Sequence, residues 1–594
     1  MNYRKDIDGL RTLAVLPVIF FHAGLGIFSG GFVGVDIFFV ISGYLITTII
    51  LEELKNDKFS IITFYDRRAR RILPALFAVM LFCLICGYFT MMPDEYKNLG
   101  QSLVATSFFS NNVLLALTTG YWDLVSEFKP LLHTWSLGVE EQYYIIIPLL
   151  LLLAWKFFKN KILLMFSLIF ISSFVFANWF VNVSPNVAFY ILPTRAWEIA
   201  LGGIVAVLLN RNLIKNEKFA TNNILSLLGL ILICISIFAF DSSVLSPSYY
   251  LLIPTIGTSL IIIFSTEKTI AYRILSIKPI VFIGLLSYSL YLWHQPIFAF
   301  LRIYSIEEPN TSTFLYSIIL IFAISYLSLK YIEAPFRNKN IISRKFIFTF
   351  AFIGSLFFVS SGLYLNKNYG IPSRAFDSSL KIEDLDKRIY NEKVYSFKKP
   401  EFSDDSRQKL LIVGNSFGRD FTNITLETFD TKNVEIIYTP DLNECIYPYQ
   451  NSENEKLYSK ADIIVFAKNE EFSEECVKSN LKFTSDTSKK LYYIGIKDFG
   501  HNLNWLIRIP KNELANQYNP ISDKFIQIDA KMSKMIPSEN YISLLDSTVI
   551  DNKIPITDDQ GRMLSTDRAH LTKYGAMYFG DKVIKNTSYA KIFE

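Results

Sequence analysis

Long apolar runs separated by short basic loops fill the first 365 residues, and no other feature constrains the fold as strongly. A bilayer core about 30 Å thick is crossed by roughly 20 mostly apolar residues in helical form. We therefore predict a polytopic α-helical membrane domain over residues 1–365, with about 11 spans. The predicted spans are 11–28, 32–53, 72–91, 142–157, 163–181, 190–209, 223–240, 250–265, 279–302, 313–332 and 344–364. The stretch 100–118 is either a further span or a re-entrant helix.

Lys and Arg are concentrated in every second loop between these runs. The loops at 67–71 and 156–161 are rich in cations, whereas the alternate loops hold only Lys97, Lys129 and Arg302. Because cations favour the cytoplasmic side of a membrane, we predict a cytoplasmic N-terminus. An odd number of spans then delivers the C-terminal part of the chain to the far side.

The chain becomes polar after the last run. Residues 366–408 are weakly patterned and are expected to form a linker or accessory segment. Short apolar runs then follow at Lys409–Val413, Ile463–Phe466, Leu491–Ile496 and Phe525–Ile528. This alternation favours an α/β domain with a mainly parallel sheet over residues 409–594. The net charge is only +5, and there is no basic stripe interleaved with aromatic residues, so no nucleic-acid partner is expected.

The five cysteines fall into two groups. Cys83, Cys86 and Cys234 lie in apolar spans, where a small hydrophobic role is expected, and no metal site is predicted. Cys445 and Cys476 lie in the polar domain. If that domain faces an oxidising compartment, a disulfide between them is favoured over two free thiols.

Ionisable residues inside a span are costly and usually mark a functional site. Arg11 and His22 lie 11 positions apart, which places them on nearly the same helix face at a separation of about 16 Å. His22 is a candidate general base, and Arg11 can bind a phosphate or polarise a carbonyl. Asp36 also needs a partner at this depth, and His22 or Arg11 is the expected one.

An arginine-rich loop precedes the third predicted span, with the sequence Arg67-Arg68-Ala69-Arg70-Arg71. As a positive-inside anchor it needs no further role. A cluster of guanidinium groups also suits bidentate binding of phosphates, such as those of coenzyme A.

Seven segments in order resemble membrane acyltransferase family 3, whose members O-acetylate bacterial surface polysaccharides. The segments are Asp8-Gly9-Leu10-Arg11 with His22, Gly34 to Ile46, the arginine loop ending Ile72-Leu73-Pro74-Ala75, His133 to Tyr144, Arg195-Ala196-Trp197-Glu198, Ser287 to Pro296, and Glu333 to Arg337. The resemblance implies a bacterial inner-membrane enzyme that binds acyl-CoA as donor, holds no permanent cofactor, and has a C-terminal domain in the periplasm.

The same resemblance assigns roles to particular residues. It implies that Arg11 and His22 form an essential pair. It implies that an Arg-x-x-Arg element engages coenzyme A, in the frame Arg67 with Arg70 or the favoured frame Arg68 with Arg71. It also implies a functional Glu141, with the role of Glu140 left open, while His294 and Glu333 are either site or packing residues.

The polar domain carries a second set of candidate residues. Ser416 follows the first predicted strand in Gly414-Asn415-Ser416, and Asp567 and His570 come near the C-terminus. A serine at the carboxyl edge of a parallel sheet, with histidine as base and aspartate to orient it, forms a catalytic triad.

This second pattern resembles the SGNH (GDSL-like) hydrolases, with Asn415 replacing their usual Asp. Their middle motifs, which complete the oxyanion hole, have no good counterpart. Ala467-Lys468-Asn469 follows the appropriate strand but departs from the pattern, so backbone N–H groups near Ser416 are an alternative. His501 has no motif around it and is expected to be structural.

Together these features predict an O-acyltransferase, most simply an O-acetyltransferase, that moves an acyl group from cytoplasmic acetyl-CoA onto a surface glycan. The cysteine pair favours lipopolysaccharide O-antigen as acceptor, and peptidoglycan is the alternative. Two other functions remain open: a glycan transporter or flippase with a glycan-binding domain, and an esterase that removes acetyl groups.

Overall fold

The computed structural model describes residues 3–118, 126–214, 218–377, 380–446 and 452–594. The chain divides into two compact units. The membrane unit comprises Met1–Tyr88, Lys97–Leu301 and Pro309–Lys367. The C-terminal unit comprises Asn368–Glu594 together with two segments from earlier in the chain, Phe89–Tyr96 and Arg302–Glu308.

The described residues up to Lys367 are almost entirely helical. The helices are α1 (Lys5–His22), α2 (Gly34–Lys55), α3 (Ile61–Thr90), α4 (Pro93–Ser107), α5 (Asn111–Thr118), α6 (Thr134–Phe158), α7 (Ile162–Val183), α8 (Pro185–Tyr190), α9 (Leu192–Asn210), α10 (Phe219–Ala239), α11 (Leu252–Phe264), α12 (Ile270–Leu275), α13 (Lys278–Tyr304), α14 (Thr311–Ser328), α15 (Ala334–Arg337) and α16 (Arg344–Lys367). A π-helical turn, Leu329–Glu333, joins α14 to α15.

Eight helical stretches within the described residues are long and apolar enough to cross a membrane. One of them, Thr134–Val183, contains both α6 and α7, so these stretches account for nine of the eleven predicted spans. The other two predictions, 11–28 and 250–265, correspond to the charged helix α1 and the short helix α11. The segment 100–118 forms the end of α4 and then α5, each too short to span a bilayer core.

Small residues allow the helices of the membrane unit to pack closely. A side chain at Gly43 on α2 would lie 1.9 Å from the Ile199 carbonyl oxygen, and one at Gly202 on α9 would lie 2.1 Å from that of Val40. Such contacts are possible only without a Cβ atom. They hold α2 against α9, which carries Arg195 and Glu198.

The C-terminal unit is built on a parallel sheet. Its strands are β1 (Gln408–Val413), β2 (Val434–Thr439), β3 (Ile463–Ala467), β4 (Lys490–Ile494), β5 (Tyr518–Pro520), β6 (Tyr541–Ile542) and β7 (Lys553–Pro555). Five form one parallel sheet in the order β2-β1-β3-β4-β6, and β5 and β7 pair antiparallel. The helices are α17 (Ile382–Leu385), α18 (Lys387–Glu392), α19 (Ser416–Thr428), α20 (Ser452–Lys460), α21 (Glu474–Asp486), α22 (Asp523–Met535) and α23 (Lys573–Lys582).

The fold class predicted from the sequence, a helical membrane domain followed by an α/β domain, is confirmed. One predicted strand is wrong, because Phe525–Ile528 lies in α22, where Ile528 and Met532 pack on the sheet at helical spacing. Four strands, β2, β5, β6 and β7, were not predicted. The segment 366–408, expected as a linker or accessory segment, contributes Leu385 and other buried side chains to the core of the C-terminal unit.

Candidate active sites

The membrane unit contains a cavity of about 300 Å³ between α1, α2, α3, α6 and α13, which we call the arginine cavity after Arg11, Arg68 and Arg71 in its wall. Three guanidinium groups and one carboxyl group reach its wall, along with hydroxyl groups and apolar side chains. The polar lining residues are Arg11, Ser42, Arg68, Arg71, Thr134, Ser136, Glu140, Tyr144, Ser287, Tyr288 and Tyr291. An excess of positive charge over a partly apolar surface suits an anionic ligand with an apolar portion.

The structure separates the two possible Arg-x-x-Arg frames. Arg67 is occupied by the carboxylate of Glu53, to which it donates at 2.7 and 3.0 Å. Arg70 is buried and donates to Asp66 at 2.8 Å. Arg68 and Arg71 instead line the cavity, so they are the pair placed to meet a ligand there.

The two neighbouring glutamates of α6 lie in different surroundings. Glu140 lines the cavity and accepts a hydrogen bond from Ser42 at 2.8 Å. Glu141 is buried and is not among the lining residues, because successive residues on a helix point about 100° apart. The geometry therefore brings Glu140 to the cavity, while a functional Glu141 stays a prediction.

Three histidines cluster in the membrane unit. The ring of His22, at the end of α1, lies 5.2 Å from that of His294, which lies 5.6 Å from that of His133 (centroid distances). His294 is fully buried, and its Nδ1 lies 2.6 Å from the Tyr291 carbonyl oxygen. Tyr291 lines the cavity and also contacts the rings of both His133 and His294, so the histidine cluster lies next to the cavity wall.

The expected partner of Asp36 is corrected by the structure. Its carboxylate lies 2.5 Å from the guanidinium of Arg195, and Arg195 also lies 3.2 Å from Glu198. Neither Arg11 nor His22 fills this role. The reason is tertiary, since the close packing of α2 on α9 brings Arg195 opposite Asp36 and leaves Arg11 beside Asp8, at 3.4 Å.

Glu333 occupies a structural position in the π-helical turn. Its carboxylate accepts hydrogen bonds from Ser289 on α13 and from Arg337 one turn later. Glu333 is buried and is not among the residues that line the cavity. These contacts favour its packing role over a direct role in the site.

In the C-terminal unit, Ser416, His570 and Asp567 lie within hydrogen-bonding distance of one another in that order. The His570 Nε2 lies 3.1 Å from the Ser416 Oγ, and its Nδ1 lies 2.7 Å from the Asp567 carboxylate. Ser416 and His570 are both buried. This arrangement is that of a nucleophile, a base and the carboxylate that orients the base.

Local sequence explains how Ser416 is held. The Asn415 side chain caps α19 by accepting from the Phe417 N–H at 3.0 Å, so the helix begins at Ser416. The positive end of the helix dipole therefore lies at the serine, a position that favours negative charge. Gly414 is required just before, because a Cβ there would lie 1.8 Å from the Ala467 carbonyl oxygen at the end of β3.

This close approach of β1 to β3 brings Asn469 into the site. The Asn415 Nδ2 donates to the Asn469 Oδ1 at 2.6 Å, which fixes the Asn469 carboxamide with its oxygen turned toward Asn415. Its NH₂ group can donate to a substrate oxygen. No role was predicted for Asn469 from its motif, although it lies just after β3, the strand that lies beside β1.

A buried ion pair lies behind the triad. The Lys497 ammonium is 2.9 Å from the Asp420 carboxylate, and both side chains are about 1% exposed. Burial lowers the pKa of Lys497, and the adjacent Asp420 opposes that shift. Asp420 also accepts from the Leu571 N–H at 3.2 Å, so it anchors the loop that carries His570.

Two further predicted features lie in the C-terminal unit. Cys445 and Cys476 are joined in a disulfide that links the segment after β2 to α21. His501, expected to be structural, has its Nε2 3.0 Å from the Glu308 carboxylate. Burial raises the pKa of nearby Asp498 to about 6.

Comparison with known proteins identifies the N-terminal part of the chain. Residues 4–330 match the model of an acyltransferase domain, family 3. The peptidoglycan O-acetyltransferase OatA of Listeria monocytogenes is 33% identical over 358 residues, which cover 58% of this chain and 57% of the relative. The O-acetyltransferase OatA of Staphylococcus aureus strain NCTC 8325 is 29% identical over 355 residues, 57% of this chain and 58% of the relative.

The chain thus spans somewhat more than half the length of these curated relatives. No solved structure matches it. The family match covers more than half of the chain and contains all the membrane-unit residues that line the arginine cavity. The chain therefore belongs to the acyltransferase 3 family.

Proposed function

We propose that this chain is a membrane O-acyltransferase, most simply an O-acetyltransferase, that uses acyl-CoA and acylates a hydroxyl group of a cell-envelope glycan. One observation carries the proposal. A chain of the acyltransferase 3 family holds both a cavity lined by Arg11, Arg68 and Arg71 and a Ser416–His570 pair at 3.1 Å.

The arginine cavity is the proposed site of the acyl donor. Its guanidinium groups bind the phosphates of coenzyme A, and its apolar wall accommodates the uncharged portion of the donor. The thioester end of the donor extends past Tyr291 to the histidine cluster, where His22 acts as general base and takes the proton of an acceptor hydroxyl group. The acceptor oxygen bonds to the acyl carbon, the carbon–sulfur bond breaks, and His22 passes the hydroxyl proton to the sulfur, which leaves as the free thiol.

The triad is the proposed site of the second transfer. Ser416 attacks the incoming acyl carbon while His570 takes the hydroxyl proton, and the donor oxygen departs with that proton. A glycan hydroxyl then attacks the acyl-serine. His570 removes the proton of this hydroxyl and returns it to Ser416, so the enzyme is regenerated. The α19 N-terminus and the Asn469 carboxamide stabilise the oxyanion of each step.

Peptidoglycan is the acceptor we favour. The Listeria relative is named as a peptidoglycan O-acetyltransferase, which supports the alternative acceptor over lipopolysaccharide O-antigen. The cysteine pair had favoured O-antigen, but a disulfide only indicates an oxidising compartment and does not distinguish the two glycans. We further propose that the N-terminus is cytoplasmic and that the C-terminal unit faces the envelope side of the cytoplasmic membrane.

Glycan mass spectrometry tests the proposal on cells expressing wild type, His22→Ala or Ser416→Ala. Both muropeptides and any lipopolysaccharide are analysed. We expect both variants to lose the same acyl mass from muropeptides while remaining in the membrane at wild-type level. Unchanged acylation in either variant contradicts the mechanism, and loss of mass only from lipopolysaccharide contradicts the acceptor. If acyl mass instead rises in Ser416→Ala, the C-terminal unit is an esterase.

A further inference from the structure

A second cavity of the membrane unit lies apart from the arginine cavity. It has a volume of about 340 Å³ and opens among the ends of α2, α6, α7 and α9. Its lining residues are Leu51, Lys55, Trp155, Lys159, Asn160, Ile162, Val207, Asn210 and Arg211. The last α2 residue of the arginine cavity is Ile49, and Lys55 lies six residues further on, about 9 Å along the helix.

The charge of this second cavity is one-sided. Lys55, Lys159 and Arg211 line it, and no described lining residue is acidic. Within the described part of the chain, none of the three has a carboxylate within ion-pair distance. Three like charges around one concavity repel one another, and an anion bound between them relieves this repulsion.

The cations are also held in place. The Arg211 guanidinium donates to the carbonyl oxygens of Lys159 and Asn160 at 2.6 and 3.2 Å. These bonds use two of its five N–H groups and leave donors for a ligand. The Lys159 ammonium lies 4.0 Å from the centre of the Trp155 ring, so a cation–π contact fixes it at the cavity wall.

The surroundings indicate a ligand with an apolar portion. Leu51, Ile162 and Val207 form the apolar part of the lining. Phe158 and Leu213, which are close in sequence to Lys159 and Arg211, are each more than half exposed and offer an apolar surface near these cations. A ligand that places a phosphate among the cations and its chain along this surface satisfies both features.

We propose that this second cavity binds a phosphate group, with the phosphodiester headgroup of an anionic phospholipid as the ligand chemistry that fits it. Basic pockets between membrane helices recognise such headgroups by the same charge pattern. The shared chemistry is the phosphate, which coenzyme A also carries, so the experiment must distinguish the two sources. The site lies outside the residues to which the acyl-transfer reaction is assigned.

The test compares three forms of the full-length protein purified in a neutral detergent. These are wild type, the cavity variant Lys55→Gln/Lys159→Gln/Arg211→Gln, and a control that removes the same number of charges at exposed positions elsewhere, Lys268→Gln/Arg273→Gln/Lys278→Gln. Binding of a fluorescent short-chain phosphatidylglycerol is titrated, with phosphatidylcholine as the uncharged comparison. Coenzyme A binding is measured separately by calorimetry.

We expect the cavity variant to bind phosphatidylglycerol about 100-fold more weakly than wild type, at roughly fivefold for each charge removed. The control should retain the wild-type affinity. If the cavity variant loses affinity for coenzyme A instead, the cavity does bind a phosphate group, but the phosphate belongs to the acyl donor and not to a lipid. If neither ligand weakens more than in the control, the proposal is overturned. Should the triple variant fail to fold, Lys55→Gln alone is used, because Lys55 is exposed and its replacement leaves no buried group unpaired. This single variant is expected to bind phosphatidylglycerol about fivefold more weakly than wild type.

Discussion

The buried Lys497–Asp420 pair offers the sharpest test of how the triad is supported. In the variant Lys497→Met, the Asp420 carboxylate keeps its burial but loses the cation 2.9 Å away. Removing one partner of a buried pair costs about 3–5 kcal/mol, because the remaining charge is left without compensation. The Leu571 N–H and the more distant Arg419 guanidinium, 3.6 Å from the Asp420 carboxylate, replace that cation only in part, so the lower end of this range is expected.

This energy converts into a measurable shift in melting temperature. The C-terminal unit contains about 240 residues, and a domain of that size loses roughly 2–4 °C for each kcal/mol. Lys497→Met should therefore lower the Tm of the unit by roughly 10 °C. The assay is protease resistance of the full-length protein over a temperature series, followed through a C-terminal tag so that only this unit is observed.

Two comparisons make the result decisive. The double variant Lys497→Met/Asp420→Leu removes both charges and should recover most of the lost Tm, because well-packed apolar residues replace such pairs at little cost. The matched control is Lys585→Met, since Lys585 and Asp581 form an exposed pair at 2.6 Å whose loss changes stability by less than about 1 kcal/mol. The reasoning would be refuted if Lys497→Met had the same Tm as the wild type, or if the double variant had a Tm no higher than that of Lys497→Met.

Three further predictions concern other sites. Asp567→Asn should lower acyl transfer by about 10⁴ without loss of protein, because the histidine then adopts the wrong tautomer; hydrolysis of a chromogenic acetyl ester measures it. Asp498→Asn should raise the Tm more at pH 7.5 than at pH 4.5. The pKa of Asp498 is raised to about 6 in the folded state, so the wild-type protein loses folding stability as the pH rises from about 4 through 6. Removing the carboxylate should therefore increase the free energy of unfolding by about 3 kcal/mol at pH 7.5 and by about 1 kcal/mol at pH 4.5. Arg195→Met should destabilise the membrane unit by about 3–5 kcal/mol, since Asp36 is left buried without its cation, and should reduce the folded protein recovered by fluorescence-detected size exclusion.

Each of these predictions has a contrary outcome. Less than a tenfold loss in Asp567→Asn would show that the carboxylate does not orient the base. If Asp498→Asn raised the Tm equally at both pH values, the effect would come from packing and not from the charge of the carboxylate. The control for Arg195→Met is Arg273→Gln at an exposed position of α12; equal yields of the two variants would contradict the buried-pair interpretation.

Features that depend on local sequence were predicted well. The membrane helices follow from runs of apolar residues, because a lipid environment demands a helix wherever such a run crosses it. The strand β1 and the turn at Ser416 follow from a short apolar run that ends in Gly414-Asn415. The family was indicated by segments that keep their order and spacing along residues 6–337.

Features that join distant parts of the chain were decided only by the tertiary structure. Arg195 is 159 residues from Asp36, and no pattern within α2 shows that α9 will lie against it. Asn469 reaches Asn415 only because β3 is the neighbour of β1 in the sheet. Helix rotation likewise selects Arg68 and Glu140 for the cavity over the residues beside them. Hydropathy and turn preference are properties of neighbouring residues, whereas these pairings are formed by packing across the fold, and for that physical reason the sequence alone could not supply them.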